Sequence, residues 1–213
     1  ARRREELLLR HASLLLDESA TQNQKLGRAS LIAHETAHMW FGDLVTMRWF
    51  NDVWMKEVFA NFMAAKIVNP SFPEVNHDLR FLLDHYPAAY GTDRTAGTNA
   101  IRQVLDNLDQ AGQMYGPIIY DKAPVVMRQL EMIMGPDAFR DGLRDYLKTY
   151  QFGNATWLDL VRTLDTRTPR DWSSVSTAAR SCSRSYASRT VFIQSCMPLR
   201  AGPRSTRCIS RLV

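Results

Sequence analysis

The chain has 213 residues, 45% hydrophobic and 23% charged, which is the composition of a soluble globular protein and excludes collagen-like, wholly disordered and disulfide-scaffold classes. Apolar runs such as Leu14 to Leu16 fall far short of the ~20 residues of a bilayer span, and no signal-peptide pattern opens the chain; no membrane span is expected, and the compartment stays open with the cytoplasm ahead. The formal charge is +5, but residues 1–170 hold 20 basic and 21 acidic side chains, so no nucleic-acid partner is expected of them.

Taken in order, a first helix is predicted over Gln24 to Phe41, stopped by Gly42. Val45 to Phe50 is the best strand candidate, although an extended connector fits equally well. A second helix follows Asp52, a usable N-cap, and runs to Val68, before Asn69 and Pro70. Pro73 and Glu74 open a third, with Val75, Leu79, Leu82, Leu83 and Tyr86 spaced for one apolar face; it is expected to stop before Pro87. Ala88 to Ala100 reads as a loop able to line a cleft, and Ile101 to Leu108 as an amphipathic stretch. Pro124 suits the first turn of a helix to Met134, with Gly135 behind it. Asp137 to Tyr150 is helical through Phe139, Leu143, Tyr146 and Leu147. Thr156 with Asp159 forms a capping box for a last helix to Leu164. The class is therefore mainly α.

Two parts are expected, residues 1–170 and a tail of residues 171–213. The tail carries seven arginines, one aspartate, ten serines and all three cysteines, Cys182, Cys196 and Cys208. It lacks sustained periodicity and reads as a disordered or non-native extension, of the kind a shifted reading frame produces. The competing reading is a basic arm for phosphates. The body, without cysteine, has neither a disulfide nor a thiolate metal site.

Chemistry concentrates at His34-Glu35-Thr36-Ala37-His38. On a helix, residues i and i+4 share a face, so both imidazoles reach one cation. Neutral imidazole suits Zn²⁺, and the carboxylate between them is a base for metal-bound water. Alone, the motif also fits two ordinary surface or core histidines. Glu57, 18 residues beyond His38, supplies a third ligand candidate among apolar neighbours, where an unpaired carboxylate is costly.

These elements resemble the gluzincin aminopeptidases, the family of aminopeptidase N. His34-Glu35-x-x-His38, the 18-residue gap and Glu57 are similar to its zinc signature. His38 to Thr46 resembles its His-x-Trp-Phe-Gly-Asn-x-Val-Thr, Trp54 to Ala60 its Trp-Leu-Asn-Glu-Gly-Phe-Ala, and Tyr120-Asp121-Lys122-Ala123 its Tyr-x-Lys-Gly/Ala. The resemblance covers Leu14 to Arg167. It implies a thermolysin-like zinc peptidase catalytic domain, one Zn²⁺ per chain on His34, His38 and Glu57, Glu35 as general base and proton donor, and Tyr120 on the oxyanion. The implied reaction is peptide-bond hydrolysis, releasing N-terminal amino acids from a peptide substrate.

The chain departs from the pattern in places. The Gly-x-Met-Glu-Asn element that contacts the substrate's amino terminus is absent, as are the family's N-terminal β-domain, its C-terminal helical domain and most of the catalytic domain's upstream sheet. Lys56 replaces the asparagine before the zinc glutamate and Val58 the glycine after it. A zinc-binding but inactive fragment is therefore a second expectation, and a basic adaptor acting through the tail a third. Asn61, one turn after Glu57, could partner an imidazole, although an ordinary polar face residue is the favoured reading. His11, His77 and His85 lack ligand spacing and read as structural or exposed. Trp40, Phe41, Trp49, Phe50, Trp54, Phe59 and Phe62 either line a pocket or, as is commoner beside packed helices, form core.

Overall fold

The computed structural model describes residues 14–96 and 98–168. The chain divides into two units, Ala1–Pro169 and Arg170–Val213, and the description concerns the first. The expectations for His11 and for the Arg/Ser/Cys-rich tail lie outside the described residues.

Helix α1, Gln22–Ala37, opens at Thr21, whose side chain accepts from the Gln24 N–H while Gln24 Oε1 accepts from the Thr21 N–H at 2.8 Å. This reciprocal box satisfies two otherwise orphaned donors and contributes about 1 kcal/mol. The helix ends earlier than predicted because the chain turns tightly after His38. Gly42 takes φ +140°, and a Cβ there would lie 3.3 Å from the His38 carbonyl oxygen, so only glycine makes this turn without strain.

Strand β1, Val45–Met47, leads through a short 3₁₀ turn into α2, Val53–Val68. Helix α2 is the centre of the fold. Val53, Val58, Phe59 and Ala60 are all essentially inaccessible to solvent, and Phe41 stacks on Phe59 with ring centroids 4.8 Å apart. Helix α1 lies along it, packing Leu26 and Ala33 against Ala64 and Val68. The alanines at this seam let the two backbones approach closely, which places the inner face of α1 beside that of α2.

Helix α3, His77–Asp93, corrects three expectations. It starts at Asn76, whose Oδ1 accepts from the Leu79 N–H at 3.0 Å, rather than at Pro73. It runs through Pro87 instead of stopping there, so much of the expected Ala88 to Ala100 loop is helical. The proline forfeits one backbone bond, and tertiary anchoring beyond it outweighs that loss: Ala89 is buried and Asp93 pairs with Lys122. The predicted apolar face is also not the packed one. Leu79, Leu82, Leu83 and Tyr86 are exposed, whereas the row of Phe81, His85, Ala89 and Asp93 turns inward or is half-buried.

The Ile101 to Leu108 stretch is extended and bent rather than regular. Side chains from the α2 entry take over its backbone pairing: Asn51 Oδ1 accepts from the Leu105 N–H at 2.7 Å, Trp49 Nε1 donates to the Leu105 carbonyl at 2.7 Å, and Arg102 pairs with buried Asp52 at 2.6 Å. A 3₁₀ segment, Leu108–Met114, and a π-helical turn, Ile118–Lys122, lead into α4, Ala123–Met134.

Helix α5, Pro136–Tyr150, buries Phe139, Leu143 and Tyr146. Helix α6, Trp157–Asp165, opens at the predicted capping box, in which Asp159 Oδ2 accepts from the Thr156 N–H at 2.8 Å. Between them lies β2, Gly153–Ala155, which no sequence signal announced, being three residues long with a glycine and an asparagine. It pairs in parallel with β1, Val45 opposite Gly153 and Met47 opposite Ala155. The described residues are thus mainly helical, as predicted, and contain no helix long and apolar enough to cross a membrane.

Candidate metal and catalytic site

The structure brings His34, His38 and Glu57 together. The two imidazoles project from one face of α1 at its C-terminal end, edge to face with centroids 4.7 Å apart, and their Nε2 atoms are 3.1 Å apart. Glu57 points across from α2, its Oε2 lying 3.5 Å from His34 Nε2 and 3.7 Å from His38 Nε2. Among the described residues this is the one cluster of three such side chains whose ligand atoms converge, all within 4.8 Å of one another.

Spacing and donor chemistry both fit zinc. Ligand atoms about 2.0–2.1 Å from a tetrahedral zinc stand about 3.3–3.4 Å apart, and the three separations above straddle that value. The rings are also set in the required tautomer. His38 Nδ1 faces the Phe41 carbonyl at 3.1 Å, and a carbonyl only accepts, so this nitrogen carries the hydrogen and in the neutral ring Nε2 is the nitrogen left to bind a metal. His34 Nδ1 meets Asn61 Oδ1 at 2.8 Å, with the same consequence. Two lone pairs and a carboxylate, its residue only 5% exposed, thus converge on one point. Such a grouping is stable only around a cation or shared protons.

Electrostatics reflect the crowding. Burial opposes the charge of Glu57, but His34 and the Lys56 ammonium outweigh it and hold the carboxyl at about 2. His34 is raised, chiefly by Glu57, which outweighs desolvation. Lys56, flagged in the sequence only as a departure, places Nζ 3.2 Å from Glu57 Oε1, the oxygen turned away from the histidines. Val58, the other departure, is fully buried and fills core rather than cleft.

Glu35 is exposed beside His34 on α1, and its charge is felt at both His34 and Tyr120. Tyr120 sits in the π-helical turn, half-buried, with its phenol pushed well above the usual tyrosine range by burial and then by the Glu57 carboxylate. It is therefore a hydrogen-bond donor throughout the physiological range. The turn thus brings Tyr120 to the same cluster from a distant part of the chain.

Asn61, favoured from sequence as an ordinary polar residue, proves to be the imidazole partner; its position one turn after Glu57 was the usable signal. The Phe41 carbonyl had no sequence signal, since it reaches His38 only because of the turn at Gly42. His85, read as structural or exposed, is half-buried against Asp121 at 3.2 Å; His77 bonds the Phe72 carbonyl at 2.9 Å. Of the aromatic residues, Phe41, Trp54 and Phe59 are buried core, Phe50 and Phe62 pack against it, and Trp40 and Trp49 are exposed.

Comparison with known proteins agrees with this geometry. The peptidase family M1 domain matches residues 6–179, running into the tail. Probable aminopeptidase 1 of Sulfurisphaera tokodaii is 36% identical over 154 residues, 72% of this chain and 20% of its own length. The puromycin-sensitive aminopeptidase of Caenorhabditis elegans is 39% identical over 152 residues, 71% of this chain and 16% of its own, and the leucyl aminopeptidase of Saccharolobus solfataricus 36% over 154, 72% and 20%. The chain spans about a fifth, or less, of the length of these relatives. With a family match over most of its length and the His-Glu-x-x-His and glutamate elements in place, the chain belongs to peptidase family M1.

Proposed function

We propose that this chain carries the zinc centre and catalytic groups of an M1 metalloaminopeptidase, hydrolysing peptide bonds at the amino terminus of peptide substrates. The observation that carries the reading is the convergence of His34 Nε2, His38 Nε2 and Glu57 Oε2, with both outer ring nitrogens already engaged. The aminopeptidase names of the relatives support the reaction class. In the same reading the helices belong to a thermolysin-like catalytic domain. Its upstream sheet and the N- and C-terminal domains are supplied by a longer parent protein, as the relatives' length beyond the matched fifth suggests.

In this mechanism His34, His38 and Glu57 would hold one Zn²⁺ per chain. Bound there, zinc supplies a Lewis acid that polarises the scissile carbonyl and acidifies water. Asn61 and the Phe41 carbonyl keep the imidazoles aimed, and Lys56 occupies the far oxygen of Glu57 so that the near one serves as ligand. Glu35, the exposed carboxylate of the motif, takes the proton of the attacking water and returns it to the leaving amine. The Tyr120 phenol, still protonated, donates to the carbonyl oxygen as negative charge grows on it.

The test is Glu35→Gln. Zinc content should remain at one per chain while hydrolysis of an amino-acid arylamide drops at least about 100-fold. Undiminished turnover would remove Glu35 from the role of base.

A further inference from the structure

The Tyr120 phenol meets the Glu57 carboxylate and its ring lies 6.4 Å from that of Tyr115, and the turn that carries it is held from both sides. Towards the core, Ile118 and Ile119 are buried. On the other side the next two residues are tied to α3: Asp121 Oδ1 lies 3.2 Å from His85 Nδ1, and Lys122 Nζ lies 2.6 Å from Asp93 Oδ1. Asp93 is itself fixed by the Thr98 hydroxyl, which donates to the same oxygen at 3.0 Å. Lys122 and Asp93 are only 19% and 26% exposed, so water screens this pair less than the ion pairs on the surface.

The orientation of α3 makes the arrangement pointed. Hydrophobic burial alone would turn Leu79, Leu82, Leu83 and Tyr86 inward. Instead the helix leaves them in solvent and presents His85 and Asp93 to the turn that carries Tyr120. A π-helical turn is rare and recurs at functional sites, so the contacts that hold this one bear on the residue it carries. We propose that Lys122 and Asp93, backed by Asp121 and His85, are positioning residues: they lock the π-turn and so fix the phenol of Tyr120 over the site. The proposal rests on the role given to Tyr120 above.

The experiment uses the full chain with 3-fluorotyrosine placed at position 120, zinc-loaded, as wild type, Lys122→Met, Lys122→Arg and Asp93→Asn. The expected result is one narrow ¹⁹F resonance in wild type and in Lys122→Arg. Broadening or splitting is expected in Lys122→Met and Asp93→Asn, with zinc content and circular dichroism unchanged. With ordinary tyrosine, Lys122→Met should lower kcat on an amino-acid arylamide about 10- to 100-fold while KM stays within about twofold, and Lys122→Arg should restore it. In a Tyr120→Phe background the same substitution should cost nothing further in kcat, an outcome that a general loss of structure would not give. An unchanged resonance in Lys122→Met, or an additional loss of rate in the Tyr120→Phe background, overturns the proposal. If Lys122→Met does not fold, Asp93→Asn is read by the same criteria. If the wild-type chain turns over no arylamide, the peptidase reading of this chain fails on that count alone, and the fluorine spectra still decide whether the pair locks the turn.

Discussion

The α1–α2 pair and the α3 region obey different rules. Along α1 and α2 most large apolar residues are buried, from Leu26 to Phe59 and Val68, with Ile32 and Ile67 left outside, and the polar exception, Glu57, faces two histidines. In α3 four large apolar side chains stand in water while an imidazole and a carboxylate meet the turn bearing Tyr120. Where both candidate ligand histidines project from one helix face, periodicity and chemistry agree. Where a side chain must be held from a neighbouring element, polar anchoring decides the face and the apolar pattern misleads.

The comparison is sharpest at the metal ligands. His38→Ala or Glu57→Ala should weaken zinc binding by about 1,000-fold in a competitive chelator titration, since each removes one of three donors. A change below tenfold would detach the cluster from metal binding. Next in size, Phe59→Ala should cost about 3–5 kcal/mol in denaturant unfolding, because it opens a cavity under Phe41 at the centre of the fold. Asn61→Ala should lower zinc affinity about 10- to 100-fold without comparable loss of stability, by freeing the His34 ring to rotate or change tautomer.

Acid should act through the same ring. In the proposed centre His34 would bind zinc only when deprotonated, and its raised pKa lets protons compete at higher pH than an ordinary histidine at ~6.5 would. Zinc affinity should therefore fall as pH drops, starting above that value. Without metal the sign reverses: the protonated ring beside Glu57 contributes stability that is complete at low pH, below the unfolded histidine value, and is lost as pH rises through the folded one. Measured with and without zinc, the two unfolding profiles should diverge with increasing pH. The smallest effect belongs to α3, where Leu83→Lys should change stability by no more than about 0.5 kcal/mol. A loss above 2 kcal/mol would mean that the exposed face contributes to the fold after all.

These contrasts also mark what could be read from the chain. Gly42, Asp52, Gly135 and Thr156 announced helix boundaries to within a few residues, because caps act locally, whereas the Thr21 cap of α1 went unread. Pro87 misled, since its local cost is outweighed by the packing of Ala89 and the Asp93–Lys122 pair, both remote in sequence. The short strand β2 escaped because its stability comes wholly from β1. At the site, the convergence of His34, His38 and Glu57 was legible from spacing, whereas Asn61, favoured as an ordinary polar residue, turned out to hold the His34 ring. Lys56 was visible only as an oddity of sequence, and its contact with Glu57 Oε1 required coordinates. The Phe41 carbonyl could not have been named, because main-chain acceptors leave no trace in residue identity.

The position of all three ligand candidates within the stretch from His34 to Glu57 bears on how the site is built. A segment that short closes on itself at small entropic cost, and its contacts are local in sequence. Assembly of the metal pocket therefore requires only one helical hairpin to form, joined at the tight turn of Gly42. The tyrosine arrives from a segment far along the chain and must wait for long-range docking. In the proposed centre, metal capture and the arrival of Tyr120 would thus be separable events in folding, with the first available before the second.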